Sequence, residues 1–516
     1  MKQNNNSQIK SGAIISYLGI IISTIASLLY TPWMKNHIGD ANYGLYTLAG
    51  SLVAVFMMDF GLAASVTRFI SKYKAENNVM QINNVMGYVF KLYIVIDVVI
   101  SIVLFIVYLL IDNIYVGLSI SERNTLKKIF FIFATYSIFA FPFTPLSGVL
   151  NAYEKFVWLK ICELFQKLFA IFLTVVALLT NYGVIALVLM NAVSGIATIL
   201  LKLWIISKGK MIRPNFRVSD KVLLRELFGF SIWVTVLAFA QRLIFNIAPS
   251  ILGVTSTSIE IARFAPASQL EGYFFSFAYA INGLFMPMVA RLDYNMDNNG
   301  IENIMIKVGK YQICVLGLLF AGICTVGTEF IELWMGSKYR ISGICTVLLI
   351  APSIFLYPQQ IANTLLSIRN KVKYQAISAL VIGAINVGLS FIITPQLGAL
   401  GSSISICVAF FINLVLLNIV YHKVLHLNLK QFYKVVYAQC IPPVLLAIVS
   451  TQLILRYIIY SDWLWLLVKV VVCTVVYLVF LFLLGFRKEE RIQIIGIIRK
   501  RSKKIEVGIG NEARAV

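Results

Sequence analysis

The sequence predicts an all-α, polytopic membrane protein of about 14 transmembrane helices, arranged as two six-helix lobes in a parallel pseudo-two-fold repeat plus two C-terminal helices. Three observations carry that prediction. Hydrophobic residues make up 59% of the chain and charged residues only 13%, with a mean hydropathy of +0.85, which no soluble domain matches. Apolar runs of spanning length recur from end to end, and hydrocarbon offers a backbone amide no partner outside its own helix. The order of features in the first half also returns about 215 residues later in the second.

Taken in order, Met1 to Lys10 is polar and cationic, and the first apolar run lies near 11–31. That run is too long for a signal-peptide core and lacks a small-x-small cleavage site, so it reads as a retained first helix. The second span, near 43–67, follows the turn Gly39-Asp40-Ala41-Asn42 and closes on Arg68, Lys72 and Lys74. Spans near 88–111, 129–150, 162–180 and 183–206 complete an N-terminal lobe, 1–206. A basic cytosolic linker, 207–226, contains Arg213-Pro214-Asn215. Spans near 227–250, 265–290, 311–331, 341–363, 374–394 and 398–420 form a C-terminal lobe, 227–421. Two more, near 435–455 and 463–485, occupy 422–486 and stand outside the repeat. The basic tail, 487–516, begins with an amphipathic stretch (Ile492, Ile494, Ile495, Ile497, Ile498) and continues into Arg499-Lys500-Arg501, suited to an anionic inner leaflet.

The repeat is visible where Gly148-Val149-Leu150-Asn151-Ala152-Tyr153-Glu154-Lys155 lines up with Thr364-Leu365-Leu366-Ser367-Ile368-Arg369-Asn370-Lys371. A short turn follows each, Asn181-Tyr182-Gly183 and Pro395-Gln396-Leu397-Gly398. Six helices per unit is an even number, so the units share one orientation, with an axis along the membrane normal and a cavity where they face. Placing both termini in the cytosol puts about four in five of the 44 Lys and Arg on the inside, with Lys469 counted as snorkelling outward. The loop rule thereby accounts for the net charge of +22 without any anionic ligand. The seven cysteines lie mostly in apolar runs with no Cys-x-x-Cys and no nearby His, as packing residues do.

Charges at depth are the candidate functional groups. Arg242 sits roughly 22 Å from the inner end of its span at 1.5 Å per residue, too deep to snorkel easily. A guanidinium offers a phosphate a planar fork of donors and a charge that does not titrate. The alternative is a structural pair with a carboxylate such as Glu271. Asp59 and Asp97 are acids at depth, open between a structural partner and a cavity role. Arg68 lies near the inner surface, nine residues from Asp59 and out of phase with it. Arg263 and Glu271 lie toward the outer end of the eighth span, as an exit or as a solvated rim, and Arg291 closes that span as Arg68 closes the second. Glu163 and Lys167 have the i,i+4 order of a helix-stabilising pair. Pro142, Pro145, Pro249, Pro287, Pro352 and Pro358 interrupt spans and mark kinks. There is no phosphate-binding Gly-x-x-x-x-Gly-Lys loop, so ATP is not hydrolysed by this chain. None of the three His lies at depth, which disfavours a buried zinc or His base.

Tyr43-Gly44-Leu45-Tyr46, Ser51, Asp59-x-Gly61-Leu62 and Arg68-Phe69-Ile70 resemble the opening signature of the Wzx-like polysaccharide-export flippases, in the multidrug/oligosaccharidyl-lipid/polysaccharide exporter superfamily. That family's seventh span usually carries Asp-Arg, then Leu-Gly and Gly-x-Tyr; this chain has Gln241-Arg242 and Leu252-Gly253, with Ile261-Ala262-Arg263 near the last. The missing acid at Gln241 counts against a proton carried there. The resemblance implies a flippase, not an enzyme and without a cofactor. It would move a polyprenyl-pyrophosphate-linked oligosaccharide to the outer leaflet of a bacterial plasma membrane, for capsule, O-antigen or exopolysaccharide. The implied partners are that substrate, the bilayer and polysaccharide polymerase machinery, with no nucleic acid. Candidate substrate-binding residues are Arg242, Gln241, Asp59, Arg68, Asp97, Arg263, Glu271 and Arg291. Two other readings stand beside this one. A cation-coupled multidrug exporter predicts acids at depth without a central Arg. A membrane polymerase or ligase needs a sizeable outer loop, and no outer stretch exceeds about 20 residues.

Overall fold

The computed structural model describes residues 2–58, 62–180, 182–217, 221–283, 285–458 and 460–492, and among these no strand occurs. The first half contains α1 (Lys2–Ile38), α2 (Asp40–Phe56), α3 (Leu62–Ala75), α4 (Val79–Ile114), α5 (Ile120–Ala140), α6 (Leu146–Ala152), α7 (Phe156–Leu179) and α8 (Gly183–Lys208). The second contains α9 (Lys221–Phe245), α10 (Ala248–Thr255), α11 (Ser258–Gly283), α12 (Met286–Tyr294), α13 (Asn298–Met335) and α14 (Arg340–Ile350). It continues through α15 (Ser353–Leu356), α16 (Gln360–Ile368) and α17 (Val372–Leu425). The short α18 (Leu429–Phe432) precedes α19 (Ala438–Leu455) and α20 (Trp463–Phe480).

Among the described residues, ten helical segments are long and apolar enough to cross a membrane, or eleven with a bent pair counted as one. That is fewer than the 14 expected by sequence, and the reasons are local. The 54-residue α17 counts once although the chain doubles back at Gly398 (φ 53°). Its arms meet where Lys371 Nζ donates to Val424 O at 2.9 Å and Ser378 to Asn413 at 3.1 Å. Helix α2 has only 17 residues, and α11 carries Glu260, Arg263 and Glu271. Neither helix has to face hydrocarbon along its whole length, because both line cavities. Several prolines sit at the breaks, Pro142 in a 3-10 turn after α5, and Pro249 where the chain bends by 45° between α9 and α10.

The two halves are tied together at one end of the bundle, called here the closed end. Tyr339 donates to Asp40 Oδ1 at 2.8 Å, Trp334 Nε1 to Leu28 O at 2.6 Å, and Lys35 Nζ to Met335 O at 2.8 Å. Ser258 Oγ donates to Glu122, which also closes a capping box with Ser119 at the start of α5. Two glycines let backbones meet there. A Cβ on Gly44 would strike the Ser258 carbonyl, and one on Gly117 would stand 2.6 Å from Ser256 O. At the opposite end the bonds described run within each half: Arg213 N–H to Asn83 at 2.7 Å in one, Arg369 to Asp293 at 2.8 Å in the other.

Helices α19 and α20 dock on α13 through Ala321, Val444, Cys473 and Tyr477. Lys469 does not snorkel outward as the charge tally assumed. It is buried, and its Nζ donates to both Glu329 oxygens at 2.8 Å. Beyond the spans, Glu490 receives Lys310 Nζ at 2.8 Å. Partial burial raises the Glu490 carboxyl, but that ammonium and the Arg487 N–H together hold it below the usual range. All seven cysteines are free thiols, as their apolar settings led us to expect. Most of the amphipathic tail, from residue 493 on, lies outside the described residues.

Candidate functional site

Helix α9 ends at Phe245, and the chain breaks over Asn246-Ile247 before α10. A broken helix exposes backbone and side-chain polar groups inside the bundle, tolerated only where protein or a wet cavity receives them. Arg242 lies in the last turn of α9, half-buried, and its guanidinium donates to Asn246 Oδ1 at 3.1 Å. It faces a cavity of about 560 Å³. Gln241 and Asn246 line the same cavity from this region, with Glu271 from α11, Tyr357 from the broken segment before α16 and Gln360 from the start of α16. Asn363, Gln375 and Asn413 close it from α16 and α17, and Met58 reaches it from the first half.

The structural pair between Arg242 and Glu271 does not form. No ion pair among the described residues includes either side chain. Glu271 is 8% exposed, and its Oε1 has no hydrogen-bond partner among the described residues; the Tyr357 hydroxyl is in the same position. Glu271 is therefore a mid-bundle cavity group, not the rim residue its place in the sequence suggested. Burying a carboxylate without a partner is costly, which sets Glu271 apart from an ordinary packing residue.

Of the eight residues picked from sequence, Arg242, Gln241 and Glu271 come together here. Arg68 is exposed on α3, and Asp97, half-buried on α4, has an Oδ1 without a partner; neither lines this cavity. Arg263 belongs to the closed end. It donates to Glu260 Oε1 at 2.5 Å, and Glu260 Oε2 accepts the Ala399 N–H at 2.9 Å beside the Gly398 turn. Arg291 is exposed on α12, at the opposite end. Asp59 lies outside the described residues. Sequence reasoning missed the amides Asn246, Gln360, Asn363, Gln375 and Asn413. Their signal was available, since an amide in an apolar run is itself an anomaly, though a weaker one than a charge. Amides offer donor and acceptor side by side, the pairing that sugar hydroxyls require.

A second cavity of about 470 Å³ lies beneath the closed end. Tyr30, Thr31, Tyr43, Tyr46, Ser268 and Gln269 are among its walls, and Ser268 lines both cavities. Two of its tyrosines come from the Tyr43-Gly44-Leu45-Tyr46 motif. A third cavity, about 310 Å³, lies between α13 and α20 and is walled by Leu319, Phe330, Leu466 and Val470 with no charged side chain. Among the described residues no cluster of His, Cys, Asp and Glu has the makings of a metal site.

The family described as polysaccharide biosynthesis protein matches residues 9–293. No curated protein matches the chain by sequence. Solved structures share its fold. The lipid II flippase MurJ in an inward closed conformation aligns with a TM-score of 0.70 and 16% identity, over 90% of this chain and 98% of that one. An inward-facing multidrug resistance MATE family transporter of the MOP superfamily aligns at 0.64 and 12%, over 78% and 96%. A mutant of the Vibrio cholerae MATE transporter VcmN aligns at 0.56 and 14%, over 81% and 98%.

Proposed function

The chain belongs to the polysaccharide biosynthesis protein family, and we propose that it is a flippase carrying a polyprenyl-pyrophosphate-linked oligosaccharide from the inner to the outer leaflet of a bacterial plasma membrane. The obstacle to that transfer is about 30 Å of hydrocarbon facing a charged, hydrated head. The observation that carries the reading is the composition of the 560 Å³ cavity, where an arginine that makes no ion pair among the described residues stands with amides, Tyr357 and Glu271 among otherwise apolar walls. The guanidinium suits phosphate and the amides suit sugar hydroxyls. Tyrosines wall the neighbouring cavity, and aromatic rings suit the apolar faces of sugars. On the charge rule the closed end faces outward and both termini face the cytoplasm. Separation of the two lobes at that end, with approach at the other, passes the head across by alternating access.

Deleting the gene tests the reading. Surface glycan is lost, and lipid-linked repeat units accumulate on the cytoplasmic side. Arg242→Ala reproduces that phenotype at normal expression, and Arg242→Lys restores part of the glycan, keeping the charge without the fork. A second reading, a cation-coupled multidrug exporter, draws on the unpaired Glu271. It predicts that the deletion strain keeps its glycan and loses drug efflux, and that Glu271→Gln abolishes efflux while Arg242→Ala leaves it intact.

A further inference from the structure

A recess of about 200 Å³ lies between α1 and α7, away from the three cavities above. It is lined by Lys160, Glu163 and Lys167 of α7 with Gly19 and Ser23 of α1. The i,i+4 pair expected between Glu163 and Lys167 is absent. Glu163 instead accepts from Lys160 Nζ at 2.8 Å, and Lys167 makes no ion pair among the described residues. Lys202 of the neighbouring α8 donates to Ser147 Oγ at 3.0 Å and adds a third ammonium near the single carboxylate.

Lys167 stands roughly 16 Å from the start of α7 at 1.5 Å per residue, a depth where a cation facing lipid is costly. It lies off the exposed apolar stripe of its helix. Trp158, Ile161, Phe165, Leu168 and Phe172 form the exposed apolar stripe of α7. Lys160, Glu163, Lys167 and Thr174 follow at steps of three, four and seven on the opposite face. Thr174 lies against the Tyr30 hydroxyl, and Tyr30 is a wall of the 470 Å³ cavity. The polar stripe thus leads from the recess toward the cavity beneath the closed end.

We propose that this recess is a phosphate-binding site of the N-terminal half, with the Lys167 ammonium as its free ligand and Glu163 holding Lys160 in place. The proposal rests on the flippase reading for its substrate. A pyrophosphate diester carries about two negative charges at neutral pH, and Arg242 in the other half supplies one positive charge. Lys167 supplies a second, on the opposing half, so a diphosphate need never cross the bundle with its charge unmatched. The headgroup of an anionic bulk lipid offers the same chemistry.

The test uses the full chain in phosphatidylcholine nanodiscs, titrated with inorganic pyrophosphate and, separately, with polyprenyl pyrophosphate. Lys167→Gln weakens binding of both by on the order of tenfold, the loss of one charge-assisted contact, while Lys167→Arg stays near wild type. Lys167→Thr serves as a second neutral variant if the first fails to fold. In a further arm, phosphatidylglycerol replaces part of the phosphatidylcholine. A melting temperature raised by phosphatidylglycerol in wild type but not in Lys167→Gln, with pyrophosphate binding unchanged, overturns the carrier as occupant and assigns the recess to bulk lipid. Equal binding of all three ligands by wild type and the neutral variants overturns the site. If Arg242→Gln weakens polyprenyl pyrophosphate in that same series, the flippase reading stands without the recess. Absence of polyprenyl pyrophosphate binding by wild type removes the flippase reading itself.

Discussion

Gly44→Ala tests how the closed end is held. The added methyl would overlap the Ser258 carbonyl oxygen and stand 2.9 Å from its carbon and 3.3 Å from the Ala262 nitrogen. Ordinary contacts of a Cβ lie at 3.4–4 Å, and all three neighbours are backbone, so no side chain can rotate out of the way. Helices α2 and α11 must separate, which opens the seam between the halves. Overpacking of this kind costs about 1–3 kcal/mol, a shift of roughly five- to 150-fold toward conformations in which the seam is parted. The assay places a single cysteine at Thr47, a wall of the cavity below the seam, in a chain stripped of its own seven. A membrane-impermeant maleimide added from outside labels that cysteine slowly in the parent and at least fivefold faster in Gly44→Ala. Equal labelling rates at equal expression would refute the reasoning, because the methyl would then be absorbed without parting the halves.

Other outcomes follow from the same contacts. Glu329→Ala strands the buried Lys469 and lowers stability by about 3–5 kcal/mol, whereas Glu329→Leu with Lys469→Leu recovers most of it, read by thermal unfolding in detergent. The Lys310–Glu490 bridge depresses the Glu490 carboxyl, so its contribution is complete above the ordinary Glu value of about 4.3. It is lost as pH falls through the lower folded value. Hydrogen exchange of residues 486–492 therefore speeds up on acidification below about pH 4, and Glu490→Gln removes that step. Gly398→Ala places a methyl against Glu260 at a φ of 53°, and is expected to lower stability by about 1–3 kcal/mol, with the fold otherwise retained.

The fold class was legible because it depends on quantities that sum along a chain. Hydrophobic run length and prolines located most helices and several of their breaks. The sequence placed spans near 43–67, 265–290, 374–394 and 398–420, where the structure has the short α2, the polar α11 and the two arms of α17 that meet at Gly398. Arg242 was legible for the same reason, as a cation in an otherwise apolar run. What the sequence withheld is partnership across the bundle. Helical phase says which face a charge occupies, but not which helix stands opposite. Lys469 finds Glu329 and Lys310 finds Glu490 over separations of 140 and 180 residues. The i,i+4 rule assigned Glu163 the wrong lysine, since Lys160 at i−3 lies equally close on the helix surface. Asp97 looked like Arg242 in being a charge at depth in an apolar run, and only the packing sets it away from the cavity.

The central claim is that Arg242 serves a phosphate-bearing head inside a cavity that passes it between leaflets. Its most direct measurement is leaflet transfer in liposomes containing the purified chain and a polyprenyl-pyrophosphate-linked oligosaccharide, read by access of an external glycan-modifying enzyme. Transfer by wild type above empty liposomes, lost in Arg242→Ala and partly regained in Arg242→Lys, is the predicted result. Wild-type transfer no faster than that of empty liposomes, or an Ala variant as fast as wild type, would contradict it.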